Sequence, residues 1–547
     1  MKKLFTLFAA ALVMLAASSC EKNEVLPEGN TAGKVVTLKA SINNGETKTS
    51  LGEEDGDTYP VLWSEGDAIA VIQTKGVGQG EAARIFKFVL KEGDGGKTSA
   101  EFELEISENC GYTAGDFNAS EEIIAFYPFE DVHYSGINVE NQFNITYNIP
   151  DVQVYATNTF EKGASPMVAY RATDANGTLS FQNLFGVLKL QLQGANEKVQ
   201  SIEIISSTYI AGDETGLTTS NKESLQFEYR FGSLDGRKRV TLDCGNDGVS
   251  INNLTTFMIA LHPNATDLEV FIHTDKASYY KTIPTLDVNE IPINDITAGN
   301  ILAMGGLNTA DMAPAYIDER GIYQGDGIKV SYGNAGSIIW APVNCGYDAD
   351  NYKYGKLYQW GRKYGQGYND GTLADDTYPS GDNLVTSGPV DVNDGMLEEN
   401  ADKFYCNWLM TPPENNLWNS GSEQNPVKTE YDPCPAGWRV PTSNELLLLN
   451  SGIVQDEYKG TIGFWFNDDI VFFPAAGYRQ NDGTANGRDS EISYWSSTKG
   501  TNIDYITIIS ERFGMYLSRN ETSDLACGFS VRCVKDTPQS EPMPSGN

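Results

Sequence analysis

Apolar and polar residues alternate along much of the first three hundred positions. Every second residue is apolar in VTLKA (36–40) and in LKLQL (188–192), and similar runs recur in IIAFYPF (123–129) and on both sides of the SEGD turn in VLWSEGDAIAVIQ (61–73). A period of two with closely spaced turns is typical of antiparallel sheets with one buried face. This part of the chain is therefore predicted to fold as β-sandwiches, with a strand on each side of the SEGD turn.

One helix is predicted near the end of the chain, in PTSNELLLLNSG (441–452). Thr442 and Glu445 have the spacing of a capping box, and Gly452 is a suitable end. Its leucines are expected to lie in the core.

Composition and charge limit the fold class and the kinds of partner that the chain can have. The chain has 547 residues, with 54 Gly, 28 Tyr and 23 Phe, which favours strands and turns in two to four domains. Its formal charge of −35 would repel phosphate, so a nucleic-acid partner is not expected.

The first twenty residues have the pattern of an export signal. Two lysines precede an apolar stretch from 4 to 17, which is too short to cross a bilayer and ends in ASSC. The pattern resembles a bacterial lipoprotein signal peptide (1–19), cleaved before Cys20, whose sulfur would carry lipid such as palmitate. A flexible tether (20–32) with Glu21 and Glu24 is similar to those of lipoproteins on the outer face of the outer membrane, so this localisation is expected.

Five motifs in order resemble the fimbrillin-like family of pilins and surface lipoproteins. They are KTSLG (48–52), LWSEGDAIAV (62–71), AFYPF (125–129), IPDVQVY (149–155) and FQNLFGVLKLQL (181–192). The resemblance implies two β-sandwich subdomains, at 33–160 and 161–312. It also implies other pilin subunits as partners, because subunits of that family join when a donated strand completes a neighbour's sandwich.

A second series of motifs resembles the Fibrobacter succinogenes major paralogous domain, which is similar to C-type lectins. It comprises IIWAPVNCGYD (338–348), YGKLYQWGRKYGQGY (354–368), YDPCPAGWRVPTSNE (431–445), YWSST (494–498) and GFSVRCVKD (528–536). The implied fold class is mainly β, with an α+β C-type-lectin-like domain at 313–537 after the two sandwiches. The polar, Pro-rich end (538–547) is predicted to be disordered.

Seven cysteines follow Cys20, and an exported chain favours disulfides. The lectin-like resemblance implies a bond between Cys434 and Cys533, worth on the order of 4 kcal/mol in the loop-entropy model. The odd count leaves at least one thiol unpaired. Cys110 and Cys244 either pair across the sandwich or are simply buried.

No metal or cofactor is predicted. The three histidines are at 133, 262 and 273, and no Cys-x-x-Cys or His-x-x-x-His spacing occurs. Oxygen ligands for calcium occur at 467–469 and at Asp482, yet the residue pairs of calcium-dependent lectins are absent.

The chain is not expected to be an enzyme. The one catalytic alternative is a formylglycine-generating oxidase, whose closing motif resembles GFSVRC (528–533) and would use Cys527 with Cys533. The intervening residues do not match, and only Arg532 lies near to lower a thiol pKa.

The stretch 498–531 is the predicted ligand-facing surface. It is rich in Tyr, Asn, Asp, Ser and Arg, a composition shared with antibody loops, and in some lectin-like lipoproteins this region is diversified by a retroelement. An ordinary exposed hairpin is the alternative. The candidate ligand-binding residues are Asn502, Asp504, Tyr505, Arg512, Tyr516 and Arg519, with Trp408 and Trp418 as aromatic platforms.

Together these features predict a lipid-anchored cell-surface adhesin or a component of a pilus or its tip. Its lectin-like domain would bind a glycan or a protein on a host or neighbouring cell. A solitary polysaccharide-binding surface lipoprotein is the alternative.

Overall fold

The computed structural model describes residues 35–42, 62–73, 84–107, 110–130, 132–137, 143–172, 177–221, 226–231, 236–263, 265–284, 296–332, 336–367, 384–387, 392–409, 417–449, 454–467, 470–499, 503–509, 516–520 and 525–536. The prediction of a mainly β protein is confirmed. Within these ranges no helix has the length and apolar character needed to cross a membrane. The signal peptide, Cys20, the tether and the tail lie outside the described residues.

Ten strands make up the first part of the chain. They are β1 (Thr37–Ile42), β2 (Ala68–Gln73), β3 (Arg84–Leu90), β4 (Ser99–Leu104), β5 (Ile123–Tyr127), β6 (Val132–Ile137), β7 (Phe143–Ile149), β8 (Val152–Val154), β9 (Met167–Arg171) and β10 (Leu179–Asn183). Seven of them close into a barrel in the order β1-β10-β9-β5-β2-β3-β4. Closure removes the free edges that an open sheet would leave.

Among the described residues, the two before the SEGD turn, Leu62 and Trp63, are not part of the expected strand. Trp63 lies outside the strands, and its indole packs edge-on inside the barrel against Phe102 and Phe181, at ring-centroid distances of 4.8 and 5.4 Å. The turn itself is present, because the Asp67 backbone N–H donates to the Ser64 carbonyl at 3.0 Å.

Eleven strands follow. They are β11 (Gly186–Gln193), β12 (Lys198–Ile205), β13 (Ala211–Asn221), β14 (Gln226–Phe231), β15 (Gly236–Arg237), β16 (Arg239–Asp243), β17 (Val249–Ser250), β18 (Thr255–Leu261), β19 (Leu268–Thr274), β20 (Ser278–Ile283) and β21 (Ile301–Asn308). A sheet β18-β11-β21 and a sheet β20-β19-β12-β16-β8 share one buried core. A further sheet has the order β14-β13-β7-β6.

Strand β2 contributes to two cores at once. Ile69 and Val71 belong to the barrel interior, whereas Ala70 and Ile72 belong to the core of the following sheets. Since successive side chains of a strand point to opposite faces, the run AIAVI is buried on both sides. The barrel therefore packs directly on the two sheets β18-β11-β21 and β20-β19-β12-β16-β8, which are called the second unit below.

Strand pairing does not divide the chain at residue 160. β9 and β10 lie beyond that position and complete the barrel, whereas β8 lies before it and pairs in parallel with β16 of the second unit. The expected boundary is therefore corrected, because the chain enters the second unit at β8 and then returns to the barrel.

The C-terminal unit contains the remaining elements. Its strands are β22 (Ala315–Ile317), β23 (Tyr323–Asp326), β24 (Ile328–Ser331), β25 (Ser337–Trp340), β26 (Leu357–Gln359), β27 (Leu384–Val385), β28 (Phe404–Tyr405), β29 (Trp438–Arg439), β30 (Val454–Tyr458), β31 (Thr461–Phe466), β32 (Val471–Pro474), β33 (Tyr478–Arg479), β34 (Ala485–Asn486), β35 (Glu491–Lys499), β36 (Ile503–Ile509), β37 (Tyr516–Asn520), β38 (Gly528–Ser530) and β39 (Val534–Lys535). Its α-helices are α1 (Val392–Gly395) and α2 (Ser443–Leu447). The order β24-β25-β39-β29 places the last strand beside an early one.

Helix α2 is shorter than predicted. Thr442 and Glu445 form the expected capping box, and Leu446 is buried. The helix ends at Leu447 instead of near Gly452, since the backbone N–H of Leu448 turns back to the carbonyls of Glu445 and Leu446.

Candidate functional site

A cleft of about 840 Å³ opens on the C-terminal unit. Three stretches form its walls: 352–367, 401–402 and 428–436, and Glu319 also contributes. The first stretch includes β26, and the third precedes β29. Its lining is polar and aromatic, and comprises Glu319, Tyr352, Lys356, Tyr358, Lys363, Tyr364, Gly365, Gln366, Gly367, Ala401, Asp402, Lys428, Thr429, Glu430, Asp432, Pro433, Cys434, Pro435 and Ala436.

A smaller pocket of about 120 Å³ adjoins the cleft. Glu319, Tyr352, Lys356 and Pro435 line both. Because the two cavities share these walls, a ligand in the cleft has a side pocket within reach.

The wall at 428–436 is fixed by an ion pair between half-buried Lys428 and buried Asp432. The Lys428 ammonium lies 2.6 Å from Asp432 Oδ1 and also donates to the Cys434 carbonyl at 2.7 Å. The Asp432 carboxylate accepts from the backbone N–H groups of Cys434 and Val440 at 2.8 and 2.9 Å. Burial raises the pKa of Asp432, while Lys428 and these N–H groups oppose the rise.

A second wall contains the loop after β26. Leu357 and Gln366 exchange backbone hydrogen bonds of 2.8 and 2.9 Å. The Gln366 side chain is 5% exposed and donates from Nε2 to the Ala401 carbonyl at 3.0 Å. Its Oε1 has no hydrogen-bond partner in the described part of the chain. A buried carbonyl oxygen without a donor is unfavourable by about 1–3 kcal/mol.

Several charged groups of the cleft have no ionic partner. Glu319, Lys363, Asp402 and Glu430 are exposed and form no ion pair with any described residue. Lys356 lies over the ring of Tyr352, 5.1 Å from its centroid. The four exposed charges, on Glu319, Lys363, Asp402 and Glu430, can therefore contact a ligand in the cleft.

A disulfide joins Cys434 to Cys533, the pair expected from the lectin-like resemblance. It ties the cleft wall to the segment before β39. The Cys345 thiol is buried beside it, and the three sulfur atoms lie within 4.8 Å of one another. Tyr358 donates to the Cys345 sulfur at 3.2 Å, and burial raises the pKa of this thiol to about 12.

The structure does not form either of the other cysteine pairs considered from the sequence. Cys533 is bonded to Cys434 and is therefore unavailable to Cys527 as an oxidase pair. Cys110 and Cys244 are half-buried free thiols and do not form the bond considered for them.

Three buried arginines hold the loops around the cleft together. Arg532 donates to Asn344 Oδ1 and to the carbonyls of Ala341 and Phe472, each at 2.8 Å. Arg362 and Arg479 also bond to backbone carbonyls, including an Arg479 bond of 2.7 Å to Gly367 at the cleft wall. Sequence analysis missed this framework, because arginine is normally a surface residue.

The predicted ligand-facing residues do not line the cleft. Asp504 and Tyr505 lie on β36, and Tyr516 and Arg519 lie on the neighbouring β37, where Asp504 is the register partner of Arg519. Asn502 and Arg512 lie outside the described residues.

The prediction that Trp408 and Trp418 are aromatic platforms for a ligand is wrong. Trp408 and Trp418 are fully buried, and their indole N–H groups donate to the carbonyls of Trp360 at 2.7 Å and Arg362 at 3.2 Å. They are core residues because both the ring and its polar N–H are satisfied inside the unit.

No family model and no curated protein sequence matches the chain. Among solved structures, it is similar to a candidate cell adhesion protein from Bacteroides ovatus, with 13% identity, a TM-score of 0.31, and coverage of 52% of this chain and 95% of the other. A fimbrial protein from B. ovatus has 9% identity and a TM-score of 0.21, covering 91% and 99%. The tip fimbrial protein Mfa3 from Porphyromonas gingivalis, with a C-terminal truncation, has 8% identity and a TM-score of 0.21, covering 46% and 81%. Likeness at this level carries no argument about function.

Proposed function

We propose that the protein is a non-catalytic cell-surface adhesin whose C-terminal unit binds a glycan or protein ligand. The observation that carries the proposal is the cleft of about 840 Å³, where four exposed charged side chains, Glu319, Lys363, Asp402 and Glu430, form no ion pair within the described part of the chain. The surrounding unit is fixed by a disulfide and by buried arginines. A rigid scaffold around polar groups that are free to bind is typical of recognition sites.

The proposal includes a lipid anchor on Cys20, with the barrel and the sheets after it lifting the C-terminal unit from the outer membrane. Membership of a pilus, or a place at its tip, is the more specific form. The solitary surface lipoprotein is the simpler form. Cross-linking of shed filaments distinguishes them, because only a pilus component yields a ladder of linked subunits.

The binding role is tested with the full chain displayed on cells. Adhesion to immobilised polysaccharides and host-cell surfaces should require the C-terminal unit and should leave the ligand chemically unchanged. Cells that adhere equally well without the protein, or a ligand that is cleaved or oxidised during contact, would overturn the proposal. Labelling with an alkynyl palmitate tests the anchor, with Cys20→Ser as the control.

A further inference from the structure

The cleft at 352–367, 401–402 and 428–436 points to one chemical class of ligand. We propose that it binds a neutral oligosaccharide, an inference that rests on the proposed adhesin function and names its ligand and binding site. The proposal places binding in this cleft instead of on β36 and β37.

Its shape favours a short chain of small rings. Clefts that hold compact ligands have volumes of about 300–1,000 Å³, and this one has about 840 Å³. Protein partners instead bind broad surfaces of about 800 Å² on each side. The adjoining pocket of about 120 Å³ gives room for a branch or substituent.

The lining of the cleft offers partners for both the apolar surface and the hydroxyl groups of a sugar ring. Tyr364 is half-buried at the cleft, and a tyrosine ring offers an apolar face with a polar tip. Hydroxyl groups both donate and accept, so they pair with carboxylates such as Glu319 and with ammonium groups such as Lys363.

Its charge disfavours an anionic ligand. Once the Lys428–Asp432 pair is set aside, the lining holds three acidic groups, Glu319, Asp402 and Glu430, and two cationic ones, Lys356 and Lys363. The whole chain, these groups included, carries a formal charge of −35. Sulfated or uronic-acid chains would therefore be repelled, whereas a neutral chain is not.

Affinity electrophoresis of the full chain tests the proposal, with amylopectin, mannan and laminarin as neutral probes and polygalacturonate and heparin as acidic ones. At least one neutral polysaccharide should retard the protein. Tyr364→Ala should weaken that interaction about tenfold through lost ring contact, and Glu430→Gln should weaken it through a lost acceptor without disturbing the core. Tyr458→Ala is the matched control, because Tyr458 is 40% exposed on β30 and does not line the cleft.

The possible results distinguish a failure of the cleft as the binding site from a failure of the proposed adhesin function. Retardation that survives both cleft substitutions but is lost in Asp504→Ala or Arg519→Ala would overturn this site and leave the adhesin proposal standing. Retardation by acidic probes alone would overturn the ligand class. A full chain that binds no polysaccharide and confers no cell adhesion would contradict the proposed function as well.

Discussion

The Lys428 ammonium lies 2.6 Å from the Asp432 carboxylate beneath the cleft. Asp432 is almost fully buried, and its two oxygens also accept N–H bonds from Cys434 and Val440. One acidic side chain therefore joins the cleft wall, the disulfide and the residue that follows β29. This arrangement gives a structural role to the polar residues around Cys434.

Removing the cation from this pair should be costly. Lys428→Met leaves a buried carboxylate without its partner, and we expect a loss of about 3–5 kcal/mol in the free energy of unfolding. Chemical denaturation provides the measurement. The double variant Lys428→Met, Asp432→Leu should recover part of the loss, since the unpaired charge is gone. Equal stability of Lys428→Met and the unaltered protein would contradict this role.

The disulfide and the thiol beside it should differ in accessibility. Cys434→Ser with Cys533→Ser is expected to lower stability by on the order of 4 kcal/mol, because the bond closes a loop with a sequence separation of 99 residues. In the folded, oxidised protein Cys345 should resist alkylation at neutral pH, since it is 1% exposed and burial raises its pKa to about 12. Chemical denaturation measures the loss of stability, and peptide mass mapping after alkylation measures the labelling of Cys345. Rapid labelling of Cys345 or a free Cys434 would contradict the assignment.

Arg532 should be essential for the C-terminal unit. Arg532→Met removes the donors of three buried acceptors, on Ala341, Asn344 and Phe472, and we expect a loss of about 3 kcal/mol or more. Arg84→Met is the control, because that arginine is exposed and pairs only at the surface, with Asp116 at 2.7 Å, where the loss should be about 1 kcal/mol or less. Thermal melts that shift equally for the two variants would show that Arg532 has no such role.

His262 should make stability depend on pH. Burial lowers its pKa to about 4 in the folded protein, whereas an unfolded chain binds the proton near 6.5. Below pH 6.5 the unfolded state therefore binds more protons, so this contribution to stability is complete above pH 6.5 and is lost as pH falls towards 4. Its size is on the order of 3 kcal/mol.

The measurement is the free energy of unfolding of the unaltered protein and of His262→Gln between pH 7 and 4. The difference between them should shrink or reverse across this range, because glutamine does not titrate. Parallel curves would contradict the assigned shift.

The strands were predictable because their signal is local. LKLQL becomes part of β11, where Leu188, Leu190 and Leu192 are buried as the alternation predicts, whereas the continuous apolar run IIAFY becomes β5, which is buried along its whole length. Barrel closure was not predictable in the same way. It depends on β1 pairing in parallel with β10, far away in sequence, and no local pattern reports that pairing.

The candidate site was predicted only in part. The position of the disulfide followed from the lectin-like resemblance, and the capping box of α2 followed from Thr442 and Glu445. The cleft was missed because its walls come from separated loops with no shared motif. Trp408 and Trp418 were misassigned because a tryptophan in a polar loop has the same sequence pattern whether its ring is exposed or, as here, buried.

Amide hydrogen exchange of the full chain, with and without the neutral polysaccharide that retards it, tests the central claim most directly. The account predicts slower exchange at 352–367 and 428–436 on binding, and unchanged exchange at 503–509 and 516–520. Protection confined to 503–509 and 516–520 would contradict it.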